Sequence, residues 1–227
     1  MFHDFLNLLF PKVCAGCKAF LLKNEEVICT VCRHEIPLSQ FHLNTENIAF
    51  KMFYGRIPVE FVSPMLLFHK KGIVQEIIHS LKYRGHQEIG TFLGNWYATD
   101  LIDLPIFKEI DFIIPVPLHR KRLKSRGFNQ VATFGTALSD NLKIEFNDGI
   151  LLRKMYSKTQ SQKKFDDRIQ VQETVFEVNF DESQHNKHFL LIDDVMTTGS
   201  TLEQCARALL KIPGAKISIV TMAFSHL

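Results

Sequence analysis

The chain has 227 residues, of which 46% are apolar and 22% are charged, and its formal net charge at pH 7 is +3. These values are ordinary for a globular protein, and the small charge predicts no partner by itself. The length allows one core, or one core with a small appendage. No stretch reaches the roughly 18 to 20 apolar residues that cross a bilayer. We therefore expect no membrane span and a cytoplasmic location.

The first predicted element is a short helix within residues 1–10, because the apolar residues at 2, 5, 6, 9 and 10 have helical spacing. We expect this helix to pack on the body of the protein; the alternative is a helix that lies on a membrane surface. The segment lacks a basic leader and a small-residue cleavage site, so it does not fit a signal peptide.

Two CxxC pairs follow, Cys14 with Cys17 and Cys29 with Cys32. Four thiolates can close a tetrahedral zinc site about 2.3 Å from each sulfur, which leaves no position for water and predicts a structural ion. Gly16 suits the tight turn of the first pair, where a positive φ is often needed. A segment this short cannot build a hydrophobic core of its own. Metal binding would therefore supply its folding free energy. The redox alternative, a thioredoxin-like CxxC, expects a single pair.

The rest of the chain predicts an α/β domain. Residues 41–65 are expected to form a connector with short extended pieces. From about residue 70 onward, helical patterns alternate with short apolar runs, as in a parallel sheet flanked by helices. The predicted helices are 73–81, about 129–142 and 200–211, and the predicted strands are 112–116, 189–192 and 217–222. This divides the chain into a zinc ribbon (1–40), a connector (41–65) and a main domain (66–227).

A basic run comes directly after the strand predicted at 112–116. Five of the seven residues from 120 to 126 are Lys or Arg. Such a run is usually a solvated surface, but this one lies at the C-terminal end of a strand, where open α/β sheets bind their ligands. A basic turn at this place is suited to hold a negatively charged ligand.

The most informative segment is 190–201, where an apolar strand leads into Asp193 and Asp194, then a turn, then a helix. The turn and the helix start point backbone N–H groups at one spot, which favours an anion. This predicted loop comprises Met196, Thr197, Thr198, Gly199, Ser200 and Thr201. The two carboxylates would repel an anion unless they face sugar hydroxyls or a hydrated Mg²⁺. The simpler alternative is a strand followed by an Asp helix cap.

These motifs resemble known families. The segment 190–201 is similar over its whole length to the phosphoribosyl pyrophosphate motif of type I phosphoribosyltransferases. The runs 115–119 and 126–130 (PVPLH and RGFNQ), the K-Y-x-G-like run 82–85 and the four cysteines resemble the ComF/ComFC family of competence proteins. The resemblance covers nearly the whole chain and is weakest between residues 35 and 65.

The resemblance implies a type I phosphoribosyltransferase fold and a role for each motif. Asp193 and Asp194 would contact the ribose 2′ and 3′ hydroxyls, the loop 196–201 would hold the 5-phosphate, and Mg²⁺ would accompany the ligand. The implied pyrophosphate loop comprises Val116, Pro117, Leu118, His119, Arg120 and Lys121. The acid pair and Arg153 are the implied catalytic residues.

The same resemblance implies a flexible flap at residues 156–172. Arg153, Thr159 and Gln162 fit the family pattern R-x-x-x-x-x-T-x-x-Q, and Arg168 opens the pattern R-x-x-N. Val171 stands where the family has Asn, a departure that concerns how the flap closes and not the fold.

Two functions remain open at this point. The first is a transferase that displaces pyrophosphate at the ribose C1 through an oxocarbenium-like transition state, with an acceptor base that no motif identifies. The second is a non-catalytic competence protein that binds single-stranded DNA on the same fold and acts with other competence proteins. The basic run and the ribbon could bind phosphates without sequence preference, and one phosphate-binding face could receive either ligand. Fold alone does not decide between them.

Overall fold

We describe the protein from a computed structural model, which describes residues 11–154 and 175–225. The helices in these ranges are α1 (Thr30–Glu35), α2 (Ile48–Lys51), α3 (Ile73–Tyr83), α4 (Glu88–Leu101), α5 (Arg120–Arg126), α6 (Gln130–Leu142) and α7 (Ser200–Leu209). The strands are β1 (Phe61–Leu67), β2 (Phe112–Pro115), β3 (Glu145–Phe146), β4 (Leu151–Arg153), β5 (Phe176–Val178), β6 (His188–Met196) and β7 (Lys216–Phe224). None of the helices described is long and apolar enough to cross a membrane.

The predicted alternation of helices and strands is confirmed. The helices expected at 73–81, 129–142 and 200–211 are α3, α6 and α7, and the expected strands are β2, β6 and β7. Five strands form one parallel sheet in the order β1-β7-β6-β2-β3. Strands β4 and β5 form a separate antiparallel pair. The predicted α/β fold, a parallel sheet flanked by helices, is therefore correct.

Both faces of the sheet are buried, which explains why its central strands are mainly apolar. Successive side chains of a strand point to opposite faces. In β6, Leu190 and Ile192 pack on one side with residues of α3, α4, α6 and the cysteine ribbon. Phe189 and Leu191 pack on the other side with α7 and the β4–β5 pair. The carboxyl ends of the strands are left uncovered by this packing, and polar residues can gather there.

Helix α4 was not among the predicted elements, and it packs closely on α6. Glycines take the place of large apolar residues on this face, which weakens the helical pattern in the sequence. A Cβ atom at Gly94 would lie 2.7 Å from the carbonyl oxygen of Phe134 and 2.7 Å from the Cβ of Ala137. A Cβ atom at Gly90 would overlap the hydroxyl of Thr133. The two backbones can approach this closely only because these positions carry no side chain.

The segment predicted as a connector contains short helices where extended pieces were expected. Helix α2 begins after Asn47, whose side chain accepts a hydrogen bond from the amide of Phe50 at 2.9 Å. The amide group of Asn47 also donates to the carbonyl of Val62 at 2.8 Å, which ties the helix to β1. Because β1 starts at Phe61, the sheet begins within the range 41–65.

The outer edge of β1 is covered by the end of the cysteine ribbon. The amide of Leu67 donates to the carbonyl of Pro37 at 2.8 Å, and the amide of Ser39 donates to the carbonyl of Met65 at 2.9 Å. Leu38 forms an antiparallel bridge with Leu66. This edge of the sheet is thereby paired over residues 37–39 and is protected from other chains there.

Candidate functional site

The sulfur atoms of the two CxxC pairs lie together. The Sγ atoms of Cys14, Cys17, Cys29 and Cys32 are all within 4.8 Å of one another. In a tetrahedral site with Zn–S bonds of about 2.3 Å, the sulfurs are about 3.8 Å apart. The separation of the Cys17 and Cys29 sulfurs is 3.6 Å. The cluster could therefore hold a zinc ion with four protein ligands.

Backbone amides favour the thiolate form of Cys14, which is the form that binds a metal. The sulfur of Cys14 accepts hydrogen bonds from the amides of Gly16 at 3.4 Å and of Cys29 at 3.2 Å. Burial acts to raise the pKa of Cys14, but the amides of Cys17, Cys29 and Gly16 outweigh burial and lower that pKa to about 7. Hydrogen bonds from backbone amides to the sulfur stabilise the negative charge of a thiolate that binds a metal.

The role expected for Gly16 differs from the one observed. The positive φ of this turn occurs at Lys18 (65°) and not at Gly16. A Cβ atom at Gly16 would lie 2.9 Å from a methyl group of Ile73 and 3.0 Å from the sulfur of Cys32. The glycine is needed so that the knuckle can approach α3.

A cleft of about 670 Å³ lies at the carboxyl ends of β2 and β6. Most site residues selected from the sequence meet in it, although they come from distant parts of the chain. Those that line it are Val116, Pro117, Leu118, His119, Arg153, Asp193, Asp194, Thr197 and Thr201. The structure therefore gathers the acid pair, part of the anion loop, the residues after β2 and Arg153 around one space.

The loop 196–201 presents only some of its side chains to this cleft. Met196 is buried, so it can offer a ligand its backbone alone. Gly199 has φ 72° and precedes the first residue of α7, which explains the glycine. Thr197 and Thr201 line the cleft, whereas Thr198 and Ser200 are not among its lining residues; all four of these residues are exposed. The turn therefore leads through Gly199 directly into the start of α7, the arrangement on which the expected anion site depends.

The acid pair carries a strong internal repulsion, which a lysine relieves. The Asp193 carboxylate accepts a hydrogen bond from the Asp194 amide at 2.8 Å. Burial and the charge of Asp194 raise the pKa of Asp193 well above its ordinary value, while Lys82 and Arg122 act against this rise. The Lys82 ammonium lies 2.8 Å from the Asp194 carboxylate, and both side chains are largely buried. A cation from α3 is thus part of the site.

The basic run is a helix and not the turn that the sequence predicted. The His119 ring accepts a hydrogen bond from the amide of Lys121, which caps the start of α5, and Gly127 with φ 80° ends it. Arg122 and Arg126 line the cleft, beyond the range 116–121 assigned to the pyrophosphate loop. Lys121 is exposed. The side chain of Arg120 is outside what the structure describes.

Two other expectations concern residues around the flap. Arg153 lies at the end of β4 with its guanidinium 5.2 Å from the ring centre of Phe176 on β5. The flap proposed at 156–172, with Thr159, Gln162, Arg168 and Val171, lies outside the described residues, as does the helix expected within residues 1–10.

Sequence reasoning missed the wall of the cleft that α3 provides. Its lining residues are Gln75, Ile78, His79, Lys82 and Tyr83. The guanidinium of Arg126 lies 5.0 Å from the ring centre of Tyr83, so the wall also touches the basic helix. The K-Y-x-G-like run was the available signal, but nothing in the linear sequence places it beside the acid pair.

A second cavity, of about 920 Å³, lies between the cysteine ribbon and α4. The guanidinium of Arg33 lies 5.0 Å from the ring centre of Trp96 and 5.9 Å from that of Phe92. Lys12, Lys18 and Arg84 also line this groove, together with the acidic residues Glu26 and Glu88. The groove thus combines aromatic rings with cations, which the basic run alone does not.

Comparison with known proteins agrees with the geometry. Residues 132–226 match the family model described as phosphoribosyl transferase domain. Competence protein ComFC of Bacillus subtilis (strain 168) is 27% identical over 89% of this chain and 86% of that protein. DNA utilization protein YhgH of Shigella flexneri is 27% identical over 93% of this chain and 96% of that protein.

Among solved structures, adenine phosphoribosyltransferase from Leishmania tarentolae is similar over 80% of this chain and 89% of that chain, with 14% identity and a TM-score of 0.38. The domain match and the parallel sheet confirm the expected phosphoribosyltransferase fold, and the competence relatives confirm the expected family resemblance. The chain is a homologue of the ComF/ComFC competence proteins, with a phosphoribosyltransferase domain and a four-cysteine cluster that could hold zinc.

Proposed function

We propose that the cleft binds the ribose 5-phosphate group of phosphoribosyl pyrophosphate or a related compound, together with Mg²⁺. The observation that carries this proposal is that the acid pair, Thr197, Thr201 and Arg122 all line one cleft. Carboxylates accept hydrogen bonds from sugar hydroxyls, whereas hydroxyls, amides and guanidinium groups donate to phosphate. A phosphorylated sugar satisfies both sets at once.

The proposed orientation follows from where each group lies. The ribose hydroxyls face Asp193 and Asp194, and the 5-phosphate enters the turn before α7. The pyrophosphate lies toward the segment 116–119 and the cleft face of α5, where Arg122 and Arg126 neutralise its charge. Arg153 closes the cleft beside β4. Mg²⁺, which prefers oxygen ligands, would be held beside the carboxylates of Asp193 and Asp194 and would help to neutralise the charge of the pyrophosphate.

Whether pyrophosphate is displaced is a separate question from binding. A transferase of this design would work by positioning the ribose C1 and by stabilising the departing pyrophosphate electrostatically. Pyrophosphate release measured over a panel of nucleobases separates a transferase from a binding protein.

Replacing Asp193 and Asp194 together by Asn is expected to weaken ribose 5-phosphate binding by at least about tenfold. Each lost hydrogen bond between a carboxylate and a hydroxyl costs roughly 1.5 to 3 kcal/mol before non-additivity. Binding of inorganic phosphate should not weaken, because removing two negative charges does not oppose an anion. Titration calorimetry with both ligands measures the difference.

A matched ligand gives the control for this experiment. 2-Deoxyribose 5-phosphate lacks one of the hydroxyls assigned to the acid pair, so the unmodified protein should bind it more weakly than ribose 5-phosphate, and the double variant should discriminate less. Equal affinity of the unmodified protein for both sugars would reject the assignment of the carboxylates.

We infer that the four-cysteine cluster holds one structural zinc ion per chain. All four protein positions of a tetrahedral ion are filled by Cys14, Cys17, Cys29 and Cys32, so no position remains for a reacting water. The ion would fix the ribbon against α3 and would not take part in chemistry at the cleft.

The names of the relatives support a role in natural competence, in which the chain would handle incoming DNA with other competence proteins. A second candidate function, binding of single-stranded DNA, is favoured by the groove beside the cysteine ribbon. Single strands bind where a positive groove is combined with rings on which bases stack. Arg33, Trp96 and Phe92 supply that combination, and they lie outside the ribose cleft.

If the groove is the DNA site, Trp96→Ala and Arg33→Ala should each weaken single-strand binding, the first by about 1 to 3 kcal/mol. The affinity of each variant for single-stranded DNA should fall while its affinity for ribose 5-phosphate stays unchanged. Free ribose 5-phosphate should not displace DNA from the unmodified protein. The triple change Arg120→Ala, Lys121→Ala, Arg122→Ala is the matched comparison. Competition between the two ligands, with DNA binding lost in the triple variant, would move the DNA site to the basic helix.

A further inference from the structure

The K-Y-x-G-like run 82–85 forms the end of helix α3 and reaches the cleft. Gly85 has φ 73° and open space where a Cβ would lie, so the left-handed backbone alone explains the glycine. The helix ends there, with the amide of Arg84 donating to the carbonyl of Ser80. Lys82 and Tyr83 therefore lie in the last turn, whose direction is fixed by the glycine.

Helix α3 is held firmly enough to position a side chain. Its residues Val74, Ile77, Ile78 and Leu81 are buried in the core on one face of the sheet. On the other side of the last turn, the guanidinium of Arg126 stacks near the ring of Tyr83, as described above. The backbone of Lys82 is thus fixed by packing on both sides, and its ammonium group projects into the cleft from a rigid element.

The contact that Lys82 makes is specific for one of the two acids. Its ammonium lies 2.8 Å from Oδ1 of Asp194, with side-chain exposures of 21% and 14%. A pair this little exposed is screened weakly by solvent and holds one geometry. An ionised carboxylate has about four acceptor positions. One ion pair therefore fixes the plane of the Asp194 carboxylate and still leaves it able to accept hydrogen bonds from a sugar.

The acid pair needs such a partner. Two adjacent carboxylates repel each other, and Asp193 is desolvated as well. A protonated carboxyl group would present an O–H donor to the sugar hydroxyls, which in the proposed complex need an acceptor at that place. The charge of the Lys82 ammonium acts to lower the pKa of Asp193, and the ammonium is in direct contact with Asp194.

We propose that Lys82 is a positioning residue for ribose recognition: it holds the Asp194 carboxylate oriented toward the sugar hydroxyls without itself binding the phosphate. This inference rests on the proposed function of the cleft, and it gives the K-Y-x-G-like run a role in ligand binding. It predicts a loss that is confined to ligands containing a ribose.

The test compares Lys82→Met with Lys82→Arg in the full chain, using ribose 5-phosphate and inorganic phosphate as calorimetric probes. Lys82→Met should weaken binding of ribose 5-phosphate by about tenfold or more, because the Asp194 carboxylate would no longer be held in place to accept hydrogen bonds from the sugar, and should change binding of inorganic phosphate by less than about threefold. Lys82→Arg, which retains a cation within reach, should recover part of the ribose affinity. Lys108→Met is the control, since it removes one exposed charge from the turn before β2 at the opposite end of the sheet.

A double-mutant cycle shows whether Lys82 acts through its partner. In an Asp194→Asn background, Lys82→Met should cause little further loss of ribose affinity. Unchanged ribose affinity in Lys82→Met, or equal losses for both probes, would overturn the proposal while leaving the ribose site in place. Failure of the unmodified protein to bind ribose 5-phosphate would overturn the proposed function and this inference together.

Discussion

Loss of the metal is expected to unfold the cysteine ribbon. Structural zinc in small ribbons contributes about 10 to 16 kcal/mol of apparent binding free energy, which is also folding free energy because the site does not exist in the unfolded state. Cys32→Ser removes a ligand that is 2% exposed. We expect the unmodified protein to contain one zinc ion per chain by elemental analysis, and this variant to contain almost none.

The unfolded ribbon should also lower the stability of the main domain. Val27, Ile28 and Ile36 of the ribbon belong to the same apolar core as helix α3, so their loss would expose that face of the domain. A lower temperature of thermal unfolding, for Cys32→Ser or after chelation of the unmodified protein, measures this effect.

The fifth cysteine provides the control. Cys205→Ala changes a buried cysteine of α7 that lies outside the cluster, and this variant should keep its zinc. A disulfide between any two of the four clustered cysteines, or protein purified without chelator that contains no metal, would contradict the zinc assignment.

A leucine at position 94 is expected to cost more than about 3 kcal/mol of folding free energy. Even a Cβ atom at Gly94 would approach both Phe134 and Ala137 to 2.7 Å, and the first of these contacts is with backbone, which cannot rotate away. Leucine favours a helix over glycine by nearly 1 kcal/mol, so a net loss must come from the packing of α4 on α6. For a domain of this size the melting temperature should fall by about 6 to 12 °C.

The matched variant is Thr99→Leu, which adds a leucine to the exposed side of the same helix. Its melting temperature should change by less than about 2 °C, because surface changes are usually within 0.5 kcal/mol. If Gly94→Leu melted like Thr99→Leu, the two helices would have to be further apart than the structure places them.

The sequence was informative where local pattern and chemistry coincide. The buried strands β2, β6 and β7 appear as mainly apolar runs, with Ser218 and Thr221 as buried polar residues of β7, because both faces of the sheet are covered. The cysteine spacing and the segment 190–201 carried their chemistry in consecutive residues. These features could be found without knowledge of the tertiary structure.

What the sequence did not predict depends on contacts between distant segments. Helix α4 lacked a clear apolar stripe because Gly90 and Gly94 occupy its contact face with α6. The basic run was predicted as a turn, although His119 and Gly127 provide a start and an end for a helix. The contact between Lys82 and Asp194 joins residues that are far apart in the chain, so no local pattern could reveal it.

The strand order has a consequence for how the protein is made. Strand β1 pairs within the sheet with β7, so Phe61 lies beside Ser218, a separation of roughly 150 residues that slows folding. At synthesis rates of 5 to 20 residues per second, β1 leaves the ribosome about 8 to 30 seconds before its partner. The segment 37–39 is synthesised just before β1 and covers its outer edge. During that interval the nascent strand therefore has one edge open to aggregation where it would otherwise have two.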